Sequence, residues 1–173
     1  MAPTINYMQK KYLRSVYNLY AGIAAEERGF VRNYAPTQRT LKAQVWDALR
    51  RHLPYYVAVE NNTIVGVAAV LFPAIEALAH SGTVVMGVLS GYRRQGIGTS
   101  LLRAAVSHAF AEPAHRRIQL EVFSDNEAAV RLYSKLGFQV EGRARQAVFL
   151  GGKFKDVLHM AMLRPHAAAI VDG

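Results

Sequence analysis

The chain contains no cysteine, which removes disulfide frameworks, thiolate metal sites and cysteine nucleophiles at one stroke. Its six histidines show no H-x-x-x-H spacing, so no metal centre is expected, and no G-x-S-x-G elbow marks a serine hydrolase. Long hydrophobic runs are missing as well. The apolar stretch from Ile64 to Ile75 is broken by Pro73, short of the ~18 residues that cross a bilayer. Lys10, Lys11 and Arg14 are followed by polar residues instead of an apolar signal-peptide core, so a cytoplasmic protein is the expectation. Acidic residues are scarce, 12 against 21 Lys and Arg, for a net charge of +9. The excess is spread, with 9 basic and 5 acidic groups in residues 1–90 and 12 and 7 in residues 91–173. Without a basic tail or a continuous basic helix face, nucleic-acid binding is disfavoured. A surface that attracts a polyanionic small ligand fits better.

What remains is a chain of 173 residues with 51% hydrophobic content, enough for one domain over 1–173 with a substantial core. Apolar spacing predicts a short strand at Thr4–Met8 and a helix from Lys10 to about Gly22. A second helix over Thr37–His52 carries Leu41, Val45, Trp46 and Leu49 as its buried stripe. Tyr55–Val59 and Thr63–Phe72 read as a hairpin around Glu60-Asn61-Asn62. A strand at 83–89, a helix to 112, a strand at 117–123, a helix to about Leu136 and strands at 138–149 and 155–163 complete the order. This is an α/β fold with a mixed, mostly antiparallel sheet flanked by helices. The strands at 83–89 and 117–123, joined through a helix, should be parallel neighbours.

The richest stretch is Arg93-Arg94-Gln95-Gly96-Ile97-Gly98, between the strand Thr83–Leu89 and the helix whose stripe is Ile97, Leu101, Leu102, Ala105, Ala109 and Phe110. A strand, a glycine turn and a helix start gather unpaired N–H groups at the positive end of the helix dipole, which suits a diphosphate. A Walker A loop fails, because Ile97-Gly98 stand where Lys and Ser/Thr belong. A dinucleotide fingerprint fails at Leu101, the third glycine position. Further on, Asn126, Val130 and Tyr133 share a helix face. Ser124-x-x-Glu127 fits a capping box and Gly137 a helix C′ position.

Arg93-x-x-Gly96-x-Gly98, then Asn126-x-x-Ala129 through Tyr133 to Gly137-Phe138, resemble the acyl-CoA loop and the second half-site of the GCN5-related N-acetyltransferase (GNAT) superfamily. Val140–Arg143 and Phe149–Asp156, ending at Met160–Met162, look like its last two strands. The resemblance covers residues 55–163 well and the first 50 loosely. It implies a GNAT fold whose parallel strands splay near Val88. It implies acetyl-CoA as co-substrate, with no metal. The backbones of Met86 and Val88 would hold pantetheine, and Val88 N–H would face the oxyanion. The amides of Arg94, Gln95, Gly96, Ile97, Gly98 and Thr99, with the guanidinium of Arg93 or Arg94, would hold the pyrophosphate. Asn126 would anchor pantetheine or cap its helix; Tyr133 would protonate the leaving sulfur or pack against pantetheine.

A base is harder to find, since the strand before the loop offers only Val84, Met86 and Val88. Glu121 on the neighbouring strand is one candidate. His80 is the other, with a side-chain type that titrates near neutrality. The amine can also lose its proton to solvent. For the acceptor, Glu26, Glu27, Arg28 and Phe30 after the first helix are candidate walls, with His80 nearby. The reading is an N-acetyltransferase acting on a small primary amine by direct attack in a ternary complex. A protein or peptide N-acetyltransferase and a non-catalytic acyl-CoA-binding regulator are the alternatives. A homodimer is left open.

Overall fold

The computed structural model describes residues 3–26 and 36–164. Strand β1 (Thr4–Tyr7) is followed by a 3-10 turn at Lys10–Tyr12 and helix α1 (Leu13–Ala24). Val16, Leu19, Tyr20 and Ile23 are its buried face, at i, i+3, i+4 and i+7. Helix α2 (Gln38–Arg50) starts at Thr37, whose Oγ1 accepts a hydrogen bond from Thr40 N at 3.1 Å. Leu41, Val45 and Ala48 are its buried residues. Trp46, expected in that stripe, is 44% exposed. It lies one step around the helix from Val45, and the Lys10 ammonium covers its ring at 3.8 Å.

Strands β2 (Tyr55–Glu60) and β3 (Thr63–Leu71) form the expected hairpin. Its two turn residues, Asn61 and Asn62, have φ of 46° and 61°, the left-handed pair of a type I′ turn. Then come β4 (Ser81–Val88), α3 (Ile97–Ala111), β5 (Arg117–Phe123), α4 (Glu127–Lys135), β6 (Gln139–Leu150) and β7 (Lys153–Leu163). Gly151 and Gly152, with φ of 57° and 75°, join the last two strands in two residues. The described strands form one sheet in the order β1-β2-β3-β4-β5-β7-β6, antiparallel throughout except for β4 and β5.

β3 is buried on both faces because helices cover each side. A Cβ on Gly66 would meet Leu101 of α3, and one on Gly22 of α1 would meet Leu89 just past β4. The even-numbered side chains of β3 and β4 therefore face α3, and the odd-numbered ones face α1 and α2. Paired residues share a face, so Ile118, Leu120 and Val122 of β5 belong to the α3 side and Gln119, Glu121 and Phe123 to the other.

Gly82 holds the base of the parallel pair, opposite Ile118. A Cβ there would sit 2.5 Å from Val70 Cγ1 and 2.6 Å from Phe72 Cζ. Phe72 cannot yield easily, being stacked on His115 with ring centroids 3.5 Å apart. Gly82→Ala is accordingly expected to destabilise the fold by about 1–3 kcal/mol through overpacking. Urea unfolding should show a lower midpoint with an unchanged slope.

Candidate functional site

β4 and β5 pair only from Ser81–Arg117 to Thr83–Gln119. Beyond that they separate, so the opening begins at Val84 and not near Val88 as the sequence suggested. The phase of the flanking ladders decides what faces this opening. Leu89 N donates to Val65 O at 3.0 Å, and hydrogen-bonded pairs alternate along an antiparallel ladder. Val85 and Gly87 thus spend their backbone groups on β3, while Val84, Met86 and Val88 turn theirs toward the side β5 has left. On the opposite edge Ser124 N donates to Asp156 O at 3.0 Å. By the same alternation Glu121 turns its backbone groups into the opening, and Phe123 its N–H, since the Phe123 carbonyl accepts from Asn126 N at 3.0 Å. The Val88 carbonyl is taken by Arg93 Nε at 2.8 Å, which leaves its N–H.

The opening belongs to a cleft of about 1360 Å³, which reaches the loop before α3. Arg94 and Gly96 both adopt left-handed backbone, φ 62° and 79°. The first intrahelical bond runs from Ser100 N to Gly96 O, and among the described residues no backbone carbonyl accepts from the amides of Arg94 to Thr99. Gly98 also lines the cleft, where a Cβ would lie 3.4 Å from Met86 Cε and 3.5 Å from Leu132 Cδ2. The two arginines differ. Arg93 Nη2 is paired with Glu26 of the α1 end at 2.5 Å, so its guanidinium ties α1 to the end of β4. Arg94 lines the cleft with no ion pair among the described residues.

Across the opening, α4 begins at Asn126, not at the capping box expected from Ser124. Asn126 Oδ1 accepts from Ala129 N at 3.3 Å, and the residue also lines the cleft. The far end of α4 closes as a Schellman motif: Gly137 N donates to Ser134 O and Phe138 N to Tyr133 O, both at 3.0 Å, with Gly137 at φ 98°. The Tyr133 and Phe138 rings meet edge-on at 6.0 Å. Tyr133 is therefore fixed through its own carbonyl and ring, and this is the local reason for the Tyr-x-x-x-Gly-Phe spacing. Burial pushes its phenol up to about 12.

On the α1/α2 side, the cleft is walled by Tyr20, Ile23, Tyr55, Leu71 and Phe123. The hydroxyls of Tyr20 and Tyr55 contact each other at 3.4 Å, and burial raises both pKa values, to about 12 for Tyr20. Glu121 lines this side too, and His159 of β7 stands opposite it in register, with Nδ1 3.7 Å from Glu121 Oε1. His159 carried no sequence signal, because only the insertion of β7 beside β5 brings it there. His80 lies at the closed end of the β4–β5 pair, is exposed, and does not line the cleft. Glu26 is held by Arg93, whereas Glu27, Arg28 and Phe30 lie outside the described residues. Among the described residues no group of three or more His, Asp or Glu could hold a metal ion.

A sequence model of the Acetyltransferase (GNAT) family matches residues 14–138. The chain is 30% identical over 112 residues to the SPbeta prophage-derived uncharacterized N-acetyltransferase YokL of Bacillus subtilis, covering 63% of this chain and 61% of that protein. It is 29% identical over 75 residues to the L-amino acid N-acetyltransferase AaaT of Escherichia coli, covering 43% of this chain and 46% of that protein. The matches thus span about half to three fifths of these relatives' lengths. Among solved structures, yncA from Salmonella typhimurium with its cofactor acetyl-CoA superposes with a TM-score of 0.86, at 19% identity, over 98% of each chain. At that identity the likeness speaks for the fold alone.

The family match closes on Phe138, the residue that completes the α4 cap. Gly137→Ala is expected to cost about 1–2 kcal/mol, since an L side chain is strained at this backbone angle. The thermal midpoint should fall by several degrees.

Proposed function

The chain belongs to the acetyltransferase (GNAT) family, and from that premise we propose that it transfers the acetyl group of acetyl-CoA to a primary amine of a small molecule, by direct attack within a ternary complex. The observation that carries this reading is the open edge of β4, where Met86 and the N–H of Val88 lead to the amides of Arg94–Thr99, all without a backbone partner among the described residues. A pantetheine arm can replace the missing strand there, and a pyrophosphate can take the amides, with Arg94 supplying charge. The residues fit the co-substrate: among the described residues the amides have no competing backbone acceptor, and Gly98 keeps a side chain out of the path. Bound in this way, acetyl-CoA supplies an acetyl group activated as a thioester.

The chain's own residues do the rest. Val88 N–H donates to the oxygen that becomes negative as the amine attacks. Asn126, with Oδ1 spent on its helix cap, keeps its Nδ2 for pantetheine or a water. Tyr133 stays protonated far above neutral pH and delivers its proton to sulfur as the C–S bond breaks. The aromatic and apolar wall of Tyr20, Ile23, Tyr55 and Leu71, with the Glu121 carboxylate beside it, suits an amine with one cationic end and an apolar body. An amino acid or a small antibiotic-like amine has this shape; the amino-acid acetyltransferase among its relatives agrees.

The test is thiol release from acetyl-CoA against amines, amino acids, polyamines, aminoglycosides and short peptides. Turnover with a small amine supports the proposal. Turnover with peptides alone would move the acceptor to protein termini, and coenzyme A binding without turnover would leave a regulator. Gly96→Asp should weaken coenzyme A at least about tenfold in calorimetry, by adding strain and negative charge at the anion site. Tyr133→Phe should lower kcat with little change in coenzyme A affinity. The folded-state pKa of Tyr133 is raised, so the phenol is protonated below pH 10 and its proton is lost only as pH rises through about 12. The ratio of wild-type to Tyr133→Phe kcat should therefore be constant from about pH 6 to 10.

A further inference from the structure

The acceptor amine arrives as an ammonium and must lose a proton before it attacks. β4 offers no titratable side chain for this, since Val84, Met86 and Val88 fill the positions facing α3 and Thr83, Val85 and Gly87 the others. Of the titratable groups lining the cleft, the arginines cannot accept a proton. Tyr20, Tyr55, Tyr92 and Tyr133 are all held in the phenol form by pKa values raised from the ordinary one. That leaves Glu121 and His159, and the two form one pair.

Resting on the acetyl-transfer reading above, we infer that His159 is the general base for the acceptor amine and that Glu121 is its positioning residue. The β5–β7 register sets the two residues opposite each other on the face away from α3. Nδ1 of His159 lies 3.7 Å from Glu121 Oε1, within ion-pair range but longer than a hydrogen bond, and no described residue hydrogen-bonds Nε2. Carboxylate–imidazole–substrate is the same order of roles that orients a histidine base elsewhere in enzyme chemistry. His159 is about half exposed and stands one strand spacing (~4.8 Å) from β5, so an amine in the cleft reaches it directly or through one water.

Two neighbouring cations on this face are already paired. Arg117 forks onto Glu141 of β6, and Lys155 of β7 pairs with Asp125 after β5. Gly142 of β6, opposite His159 on the other flank, brings no charge. Glu121 is the charge set directly opposite His159 in the ladder, and no other ion pair engages it among the described residues. The protons balance. His159 Nε2 takes one from the ammonium and passes it to solvent after the reaction. The nitrogen attacks the carbonyl, the C–N bond forms and the C–S bond breaks. Tyr133 protonates the thiolate, and the second proton of the nitrogen restores the phenol through water.

The experiment uses the full chain with the best amine from the panel. His159→Ala should lower kcat/KM by at least about a hundredfold, the usual share of a general base, with coenzyme A affinity unchanged in calorimetry. Free imidazole should restore part of that rate in proportion to its concentration and leave the wild type unaffected. The acid limb of the wild-type kcat/KM profile should give way in His159→Gln to the ionisation of the amine itself, since only amine already deprotonated in solution can then react. Glu121→Gln should lower kcat/KM while keeping that limb. A His159→Ala protein within about threefold of wild type overturns the assignment. So does a rate that His159→Gln retains, since an amide cannot take the proton. A wild type inactive across the panel overturns this inference together with the acetyl-transfer reading, whereas an active wild type with a fully active His159→Ala overturns this one alone.

Discussion

Everything in the site depends on a place where a sheet stops making hydrogen bonds. β4 and β5 are neighbours in the middle of a continuous sheet, yet their ladder ends at Thr83 and Gln119. Backbone groups left without partners in a structured interior are costly, and a fold keeps them only where water or a ligand satisfies them. Among the described residues, the edges of Met86 and Glu121 and the N–H of Val88 are such groups, while Arg93 and Asn126 take the carbonyls of Val88 and Phe123. The fold tolerates the opening because both strands are anchored on their outer sides, β4 on β3 and β5 on β7. Gly82 fastens its base by letting Phe72 and Val70 close over the strand.

The sequence disclosed the parts of this arrangement that rest on local chemistry. The Arg93–Gly98 loop is a run of backbone requirements, with left-handed angles at Arg94 and Gly96 and orphan amides behind them. The Tyr133-x-x-x-Gly137-Phe138 spacing is a helix cap, readable because one Schellman motif uses all three residues. Helix faces were legible too, apart from Trp46, which periodicity alone could not separate from Val45 beside it.

What was not legible is whatever depends on contacts between distant segments. Arg93 reads as a phosphate ligand in the loop, but a carboxylate 67 residues earlier, Glu26, takes its guanidinium. Glu121 reads as an isolated acid on a strand; its partner His159 becomes a neighbour only because β7 returns between β5 and β6. The point of strand separation could not be found either, because Val84 to Val88 are alike in apolar character on both sides of it. The cap at Asn126 displaced the one expected at Ser124, since both residues can bond a free amide and the chain path alone chose between them.

The strand order has a consequence for how the molecule comes into being. β5 touches β4 only over Ser81–Thr83, but it runs against β7 from Arg117 to Phe123. β7 is made after α4 and β6, so during synthesis β5 waits for a partner that emerges much later. Such non-local pairings carry a loop-closure cost before they return any contact energy, which makes them slow. The β2–β3 hairpin, β4 and α3 can collapse through short connections, whereas β1 joins β2 only across α1 and α2. The cleft, whose second wall is β5 and α4, is then completed only when β7 slides into place. A nascent chain halted before β7 would hold one wall of the cleft and lack the other.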